Sequence, residues 1–441
     1  MGLQKQDILS EKIEIMKNKM KKILDLHIHS KYSRACSKEL ELPQIAKACE
    51  ERGIDIVVTG DFTHPLWFDH IKKNLIEDTP GIYKLKDDSS TTRFLLGTEI
   101  ASIKKHKGKT RRIHLCLYAP SIEVVEKFNA TLNENGFNLK ADGRPILGMT
   151  SKDILQMMLS VDERMVMIPA HAWTPWFGIF GSNGGYDSLE EAFEELAPHI
   201  FAVETGLSSD PQMNWQWKEL DTITLVSNSD AHSLQKLGRE ANVFNFQNEK
   251  DITYENIVKI LQTGDKKQFQ HTIEFYPEEG KYHADGHRDC QFYCDPKETK
   301  KYKGLCPKCK KPLVIGVLNR VNELSERNPS EKKTEERIPY KSIVPLPEIL
   351  ADVFSCGVGT KKVKEMYSQM IKKIGNEFFI LNDATLESIE QGSTKEIRNA
   401  IERMRSGNIY VRPGYDGEFG VVKIFEENNR KNIQQLNLDL E

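Results

Sequence analysis

Asp25-Leu26-His27-Ile28-His29-Ser30 follows the short apolar run Ile23-Leu24. On a β-strand alternate side chains share a face, so His27 and His29 project together and can grip one metal ion. The spacing returns as Asp230-Ala231-His232, and Asp61, Glu99, His114, His171 and Glu204 each follow or lie within a further apolar run. Imidazoles and carboxylates gathered in this way are the donors of a divalent-metal centre. Two or three such ions side by side lower the pKa of a bridging water, polarise a phosphoryl oxygen and neutralise a departing one. The chemistry expected is therefore phosphoester hydrolysis, with no Ser or Cys nucleophile required.

Seven apolar runs must carry these residues: 23–26, 54–58, 94–96, 113–117, 165–168, 201–203 and 223–226. Amphipathic stretches at 42–51, 154–159 and 189–196 separate several of them. Strands alternating with helices predict an α/β fold with a parallel sheet. If that sheet closes into a βα barrel, the ligand types collect on the rim where the strands end.

The set Asp25-Leu26-His27-Ile28-His29-Ser30, Thr59-Gly60-Asp61, Glu99, His114, His171 and Asp230-Ala231-His232 resembles the polymerase and histidinol phosphatase (PHP) family. That resemblance implies a distorted seven-stranded βα barrel over residues 21–275, with up to three metals. It implies one metal on His27, His29, Glu99 and Asp230, a second on Glu99, His114 and His171, and a third to which Asp61 and His232 contribute. Two positions depart from the family pattern: Asp61 stands where many members have a ligand His, and Ser33-Arg34-Ala35 stands where a further His or Asp often follows the first motif. Arg34 is a candidate catalytic phosphate clamp, because a guanidinium pairs bidentately with phosphate oxygens.

Three features point to nucleic acid as the substrate. Lys104, Lys105, Lys107, Arg111 and Arg112 crowd the segment between Glu99 and His114, where a local basic field meets a polyanion. Trp173, Trp176 and Phe177 follow His171 on a glycine-rich loop and could wedge into a base stack or wall a pocket for an extruded base. Cys290-x3-Cys294-x11-Cys306-x2-Cys309 has the paired spacing of a structural zinc site, with His283 and His287 able to replace a thiolate. Interleaved lysines suit such a module, 276–322, to lying along phosphates.

A charged linker over 323–341 then leads to a mainly helical C-terminal domain, 323–441. There Gly357-Val358-Gly359, followed by Lys361, looks like the hairpin of a helix-hairpin-helix element, whose amides can meet a DNA phosphate. Tyr415 is a candidate stacking residue. An amphipathic helical extension is expected over residues 1–20, with Ile8, Leu9, Ile13 and Met16 on one stripe.

Barrel, zinc element and helical tail in this order resemble the endonuclease Q family. The resemblance implies a DNA repair endonuclease that incises 5′ to deaminated bases (uracil, hypoxanthine, xanthine) and at abasic sites in double- or single-stranded DNA. Two or three Zn, Mn or Mg ions would serve the barrel and one structural Zn the cysteine module. Composition is compatible: 62 Lys plus Arg balance 65 Asp plus Glu, so any polyanion must be met by local patches. No apolar run is long enough for a membrane and no signal-peptide core is seen, so a cytoplasmic location is expected. Scattered cysteines besides the late four fit a reducing compartment. A small-molecule phosphatase of the same chemistry and a non-catalytic DNA-binding adaptor are the alternatives. A repair or sliding-clamp partner is not identifiable.

Overall fold

The computed structural model describes residues 20–327 and 337–426. The helix expected over residues 1–20 lies outside the described residues except for Met20, as does the middle of the 323–341 linker.

Met20 opens strand β1 (Met20–Asp25). Its apolar residues Ile23 and Leu24 are buried, and Asp25 ends the strand inside the molecule. A helix, Leu42–Arg52, begins with Pro43 in its first turn and stops at Gly53, whose φ of 90° reverses the chain. The β-branched run that follows becomes β2 (Ile56–Val58), buried throughout. After a hairpin of β3 (Leu75–Thr79) and β4 (Ile82–Leu85) come the long strands β5 (Arg93–His106) and β6 (Lys109–Ala119). The remaining strands near the site are β7 (Ile146–Leu147), β8 (Val166–Pro169), β9 (Ala202–Glu204), β10 (Thr224–Val226), β11 (Ala241–Phe246) and β12 (Phe269–Glu274).

The sheet is mixed rather than parallel. β1, β2 and β5 run parallel, but β6 is antiparallel to β5 and to β8, with Ala101 opposite His114 and Cys116 opposite Ile168. Lys107 and Gly108, both at positive φ, turn the chain directly from β5 into β6, so no crossover helix intervenes and the two strands must oppose each other. Eleven strands form the main sheet, while β9 and β10 form a separate parallel pair. No continuous ladder closes these into one barrel among the described residues. Side-chain amides stand in for ladder bonds at the gap: Leu26 N–H donates to Asn228 Oδ1 at 2.9 Å and Ser227 N–H to Asn242 Oδ1 at 3.0 Å. A bond from His29 N–H to the Ala231 carbonyl (3.1 Å) then brings the β1 exit against the turn after β10.

A main core runs from Ile23 to Ile424 and takes in the C-terminal helices, including Ile349, Leu350, Phe378 and Ile401. β15 (Tyr340–Ser342) adds a parallel edge to β12. The buried ion pair of Arg52 and Glu377, 2.8 Å apart, ties the helical region to the first helix. Glu377 also accepts the Leu346 amide (2.8 Å) and the Tyr367 hydroxyl (2.9 Å), so both its oxygens are occupied. A small separate cluster, Cys294, Cys306 and Leu313, packs the cysteine module. No helix among the described residues is long and apolar enough to cross a membrane.

Candidate active site

The β1 exit is held from behind by carboxylates. Asp25, fully buried, accepts amides from Ser229 (3.1 Å) and Gly238 (3.0 Å) and so fixes β1 against the loops beyond β10. His27 Nδ1 lies 3.1 Å from both oxygens of Glu204, the last residue of β9. Glu204 also accepts the His171 amide (2.7 Å) and the Asn228 side-chain amide (2.8 Å). With its Nδ1 held by Glu204, His27 turns its Nε2 toward Glu99 Oε1 (3.8 Å) and Asp230 Oδ1 (3.7 Å). That Nε2 is buried and has no hydrogen-bond partner. An orphan of this kind is costly in a protein interior unless something else satisfies it.

His29 repeats the pattern. Its Nδ1 meets Asp61 Oδ1 at 3.1 Å, while its Nε2 lies 3.1 Å from Asp230 Oδ1 and 3.3 Å from Glu99 Oε2. Asp61 Oδ2 accepts the Ser30 amide (2.7 Å) and the Ser30 and Ser33 hydroxyls (2.6 and 2.8 Å). Asp61 thus braces His29 from behind through Oδ1, its Oδ2 is taken by Ser30 and Ser33, and it joins none of the ligand groups described below.

Glu99 Oε1 receives His114 Nδ1 (2.7 Å) and His171 Nε2 (3.2 Å), and Oε2 receives the Arg144 guanidinium (3.0 Å). Three groups place ligand atoms within 4.8 Å of one another: His27, His29 and Asp230; Glu99, His114 and His171; and His27, Cys116 and Glu204. Asp61, His171 and Asp230 all sit at positive φ without being glycine. Strain of that sort persists where surrounding bonds over-determine the backbone. Gly206 permits one such position, since a Cβ there would stand 2.5 Å from the His171 Cβ. His232 stands at the rim, its ring centroid 4.7 Å from that of His29 and its Nδ1 on the Asp230 carbonyl (2.8 Å).

Burial alone would raise the carboxyl pKa values, yet the neighbouring His27 and His29 hold Asp230 far below the usual range. Glu99 is likewise held down against burial, by His114 and Arg144. Burial depresses His114 to about 4, only partly offset by Glu99, so its imidazole is neutral near pH 7. Against the opposing effect of burial, the surrounding carboxylates instead raise His27, His29 and His171, so the cluster draws in positive charge that a bound cation would supply in place of protons. Together with the orphaned His27 nitrogen, the donor set fits divalent ions.

Residues 345–408 match the family described as the MJ0043 C-terminal domain. The protein MJ0043 of Methanocaldococcus jannaschii is 32% identical over 259 residues, covering 57% of this chain and 31% of that protein, so this chain spans under a third of its length. The lesion-specific endonuclease PfuEndoQ of Pyrococcus furiosus superposes with a TM-score of 0.80 at 31% identity, covering 95% of this chain and 99% of that one. The chain belongs to the endonuclease Q family. A second endonuclease Q structure, a complex with a 27-mer duplex bearing an abasic lesion at its active site, matches with a TM-score of 0.79 and 31% identity over 92% of this chain and 98% of that one.

Around this endonuclease Q centre the expected DNA contacts divide. Trp173 is fully buried, donates to Asn214 Oδ1 (2.7 Å) and packs on Phe180 and Trp217, so it is a core residue and not a wedge. The loop folds back on itself through Phe180 N–H to the Ala172 carbonyl, which draws Trp173 inward. Trp176 is 52% exposed with the Arg112 guanidinium 5.9 Å from its ring, and Phe177 lies over His114 at 4.3 Å. Arg111 is buried, bound to the Gly185 carbonyl and Glu191 and laid on the Tyr186 ring, so it braces the hairpin and is not free for phosphate. Lys104 and Lys105 are exposed, whereas Lys107 donates to the Glu191 carbonyl at 3.0 Å. Trp173→Ala is expected to cost about 3–5 kcal/mol of stability in a denaturant titration. Trp176→Ala should leave the midpoint unchanged and weaken DNA binding about tenfold, the worth of one stacked base.

The cysteine module also differs from expectation. His287, Cys290, Cys306 and Cys309 come within 4.8 Å of one another, and Cys294 lies apart, 3.3 Å from Thr299 Oγ1. In the hairpin of β13 (Asp285–His287) and β14 (Phe292–Cys294), Cys294 faces Asp285, two residues further from the turn than His287. At ~3.3 Å per residue that displacement removes Cys294 from the ligand group. Tyr415 is buried and packs on Gly286 and Tyr293, seating the C-terminal segment on this module, and is not a stacking surface. Gly357 and Gly359 lie exposed between the helices Leu346–Val353 and Lys361–Lys373, and Lys361 is exposed as the first residue of the second. Arg34 is exposed, with its amide on Asp142 Oδ1 (3.2 Å). Sequence reading missed Arg144 altogether, because a lone arginine in a Gly-Arg-Pro turn carries no spacing signal.

Proposed function

We propose that the protein is a metal-dependent DNA repair endonuclease, hydrolysing the phosphodiester 5′ to uracil, hypoxanthine and xanthine and at abasic sites. The observation that carries this reading is the carboxylate and imidazole cluster, with its orphaned His27 nitrogen, in a chain of the endonuclease Q family. The abasic duplex seated at the active site of the related complex supports a lesion-bearing DNA as substrate.

His27, His29 and Asp230 would hold one divalent ion, and Glu99, His114 and His171 another. Such ions, when bound, supply Lewis-acid activation of water and neutralise charge at the phosphoryl group. The chain's own work is orientation: Glu204 and Asp61 keep the Nδ1 protons of His27 and His29, so both Nε2 atoms face the centre. Phe177 over His114 and the exposed Trp176 form an apolar rim beside it, suited to an unstacked or extruded nucleotide. A damaged or unpaired base costs least to extrude, which favours lesions. The lysines of the zinc module and the Gly357 to Lys361 turn would hold duplex on either side. A pure adaptor is disfavoured, because it has no use for a buried unpaired histidine nitrogen.

The test is an end-labelled duplex carrying one uracil, one hypoxanthine, one abasic site or no lesion, incubated with and without manganese. Metal-dependent cutting of the lesion strand on the 5′ side is the expected result. Intact duplexes alongside hydrolysis of a small phosphomonoester would replace this reading with a phosphatase.

A further inference from the structure

The cluster is rich in carboxylates where a phosphate anion must enter. Among the described residues, Arg144 is the Lys or Arg side chain in ion-pair contact with those carboxylates, through its bond to Glu99 Oε2. That bond uses one of the five N–H donors of a guanidinium, and the side chain keeps 22% exposure. Donors of the guanidinium thus remain beyond the Glu99 bond, on a side chain partly open to solvent.

The turn that presents it is pinned on both sides. Asp142 Oδ1 accepts the amides of both Arg144 (3.1 Å) and Arg34 (3.2 Å). Gly143 donates to the Tyr32 carbonyl at 3.1 Å, and its own carbonyl accepts the Thr63 hydroxyl at 3.3 Å. A Cβ on Gly143 would stand 2.3 Å from Asp61 Oδ2 and 2.4 Å from Ser33 Oγ, so only glycine lets this turn lie on the group that orients His29. Beyond it, the Pro145 carbonyl accepts the Ala101 amide at 2.9 Å, anchoring the turn to β5 two residues past Glu99. An arginine held at its base in this way presents a planar guanidinium pre-organised for a phosphate oxygen.

We propose that Arg144 is a catalytic residue of this site: its guanidinium, steadied on Glu99, binds a non-bridging oxygen of the scissile phosphate. The proposal rests on the reading of the site as a phosphoesterase, and it assigns to Arg144 the clamp role for which Arg34, on the exposed side of the same Asp142 bridge, was the sequence candidate.

The experiment compares the full-length wild type with Arg144→Ala and Arg144→Lys, each loaded with manganese. Metal content, calorimetric affinity for inorganic phosphate, and single-turnover cleavage of an abasic duplex are measured. Arg144→Ala is expected to keep its metal, to bind phosphate at least about tenfold more weakly and to cleave about 100-fold more slowly, the loss typical of one charge-stabilising donor. Arg144→Lys should recover part of the phosphate affinity, since it keeps the charge and loses the fork. Unchanged phosphate affinity in Arg144→Ala with normal metal content would overturn the proposal. So would a loss of metal that excess manganese reverses together with activity, which would reduce Arg144 to a support for Glu99. Arg144-dependent phosphate binding in a wild type that cuts no duplex would leave this inference standing and defeat the endonuclease reading.

Discussion

Alanine at Asp230 is expected to slow cleavage by about a thousandfold or more. Asp230 Oδ1 lies 3.1 Å from His29 Nε2 and 3.7 Å from His27 Nε2, so it is the charge against which both inward-facing imidazoles are set. Removing it leaves the two imidazoles with Glu99 alone for anionic charge, and Glu99 is already shared with Arg144. A metal's stabilisation of phosphoryl charge amounts to several kcal/mol, and each 1.36 kcal/mol is tenfold in rate. Metal content should fall in parallel. DNA affinity should stay within about threefold, because the exposed lysines and aromatics proposed to meet DNA lie outside the cluster. Retained metal and retained cleavage in Asp230→Ala would remove the metal assignment. Loss of DNA affinity with metal retained would place Asp230 in the interface instead.

The second large effect concerns the cysteine module. Chelation, or His287→Ala, should unfold residues 283–314 while the main sheet persists. Zinc binding supplies about 10–16 kcal/mol in small zinc-dependent folds, far more than the cluster of Cys294, Cys306 and Leu313 can offer alone. The main core does not depend on those residues. Hydrogen exchange on the chelated protein should show amides such as Val314 losing protection while β5 and β6 keep theirs. The ligand set is checked by the same method: Cys294→Ser should retain one zinc and His287→Ala should not. The reverse outcome would restore the four-cysteine site.

Most of the centre was legible because its signal is local. A His-x-His on a strand, and single acids or histidines at the ends of apolar runs, are the pattern that alternation and rim geometry require. Whether those donors face a metal or each other was not legible. Asp61 and Glu204 look alike in sequence as rim carboxylates, and only the tertiary structure shows that they stand behind the imidazoles. Trp173 and Trp176, three residues apart on one loop, were indistinguishable until the fold buried one and exposed the other. The hairpin between Glu99 and His114 escaped the expectation of a parallel sheet because a two-residue turn, unlike a helix, leaves almost no sequence trace. Cysteine spacing pointed to a metal-ligand group but not to its register, since two residues along a hairpin decide whether His287 or Cys294 joins it.

The buried pair of Arg52 and Glu377 constrains how such a protein can change over evolutionary time. Glu377 serves Arg52, Leu346 and Tyr367 together, and losing one partner of a buried pair typically costs about 3–5 kcal/mol. Neither position tolerates drift alone, so positions 52 and 377 should vary as a couple across descendants of this chain. The cysteine module, with its own small cluster, is joined to the C-terminal segment by ring packing and hydrogen bonds, with no buried ion pair among the described residues. The Arg52–Glu377 pair thus couples the fate of the helical segment to that of the first helix.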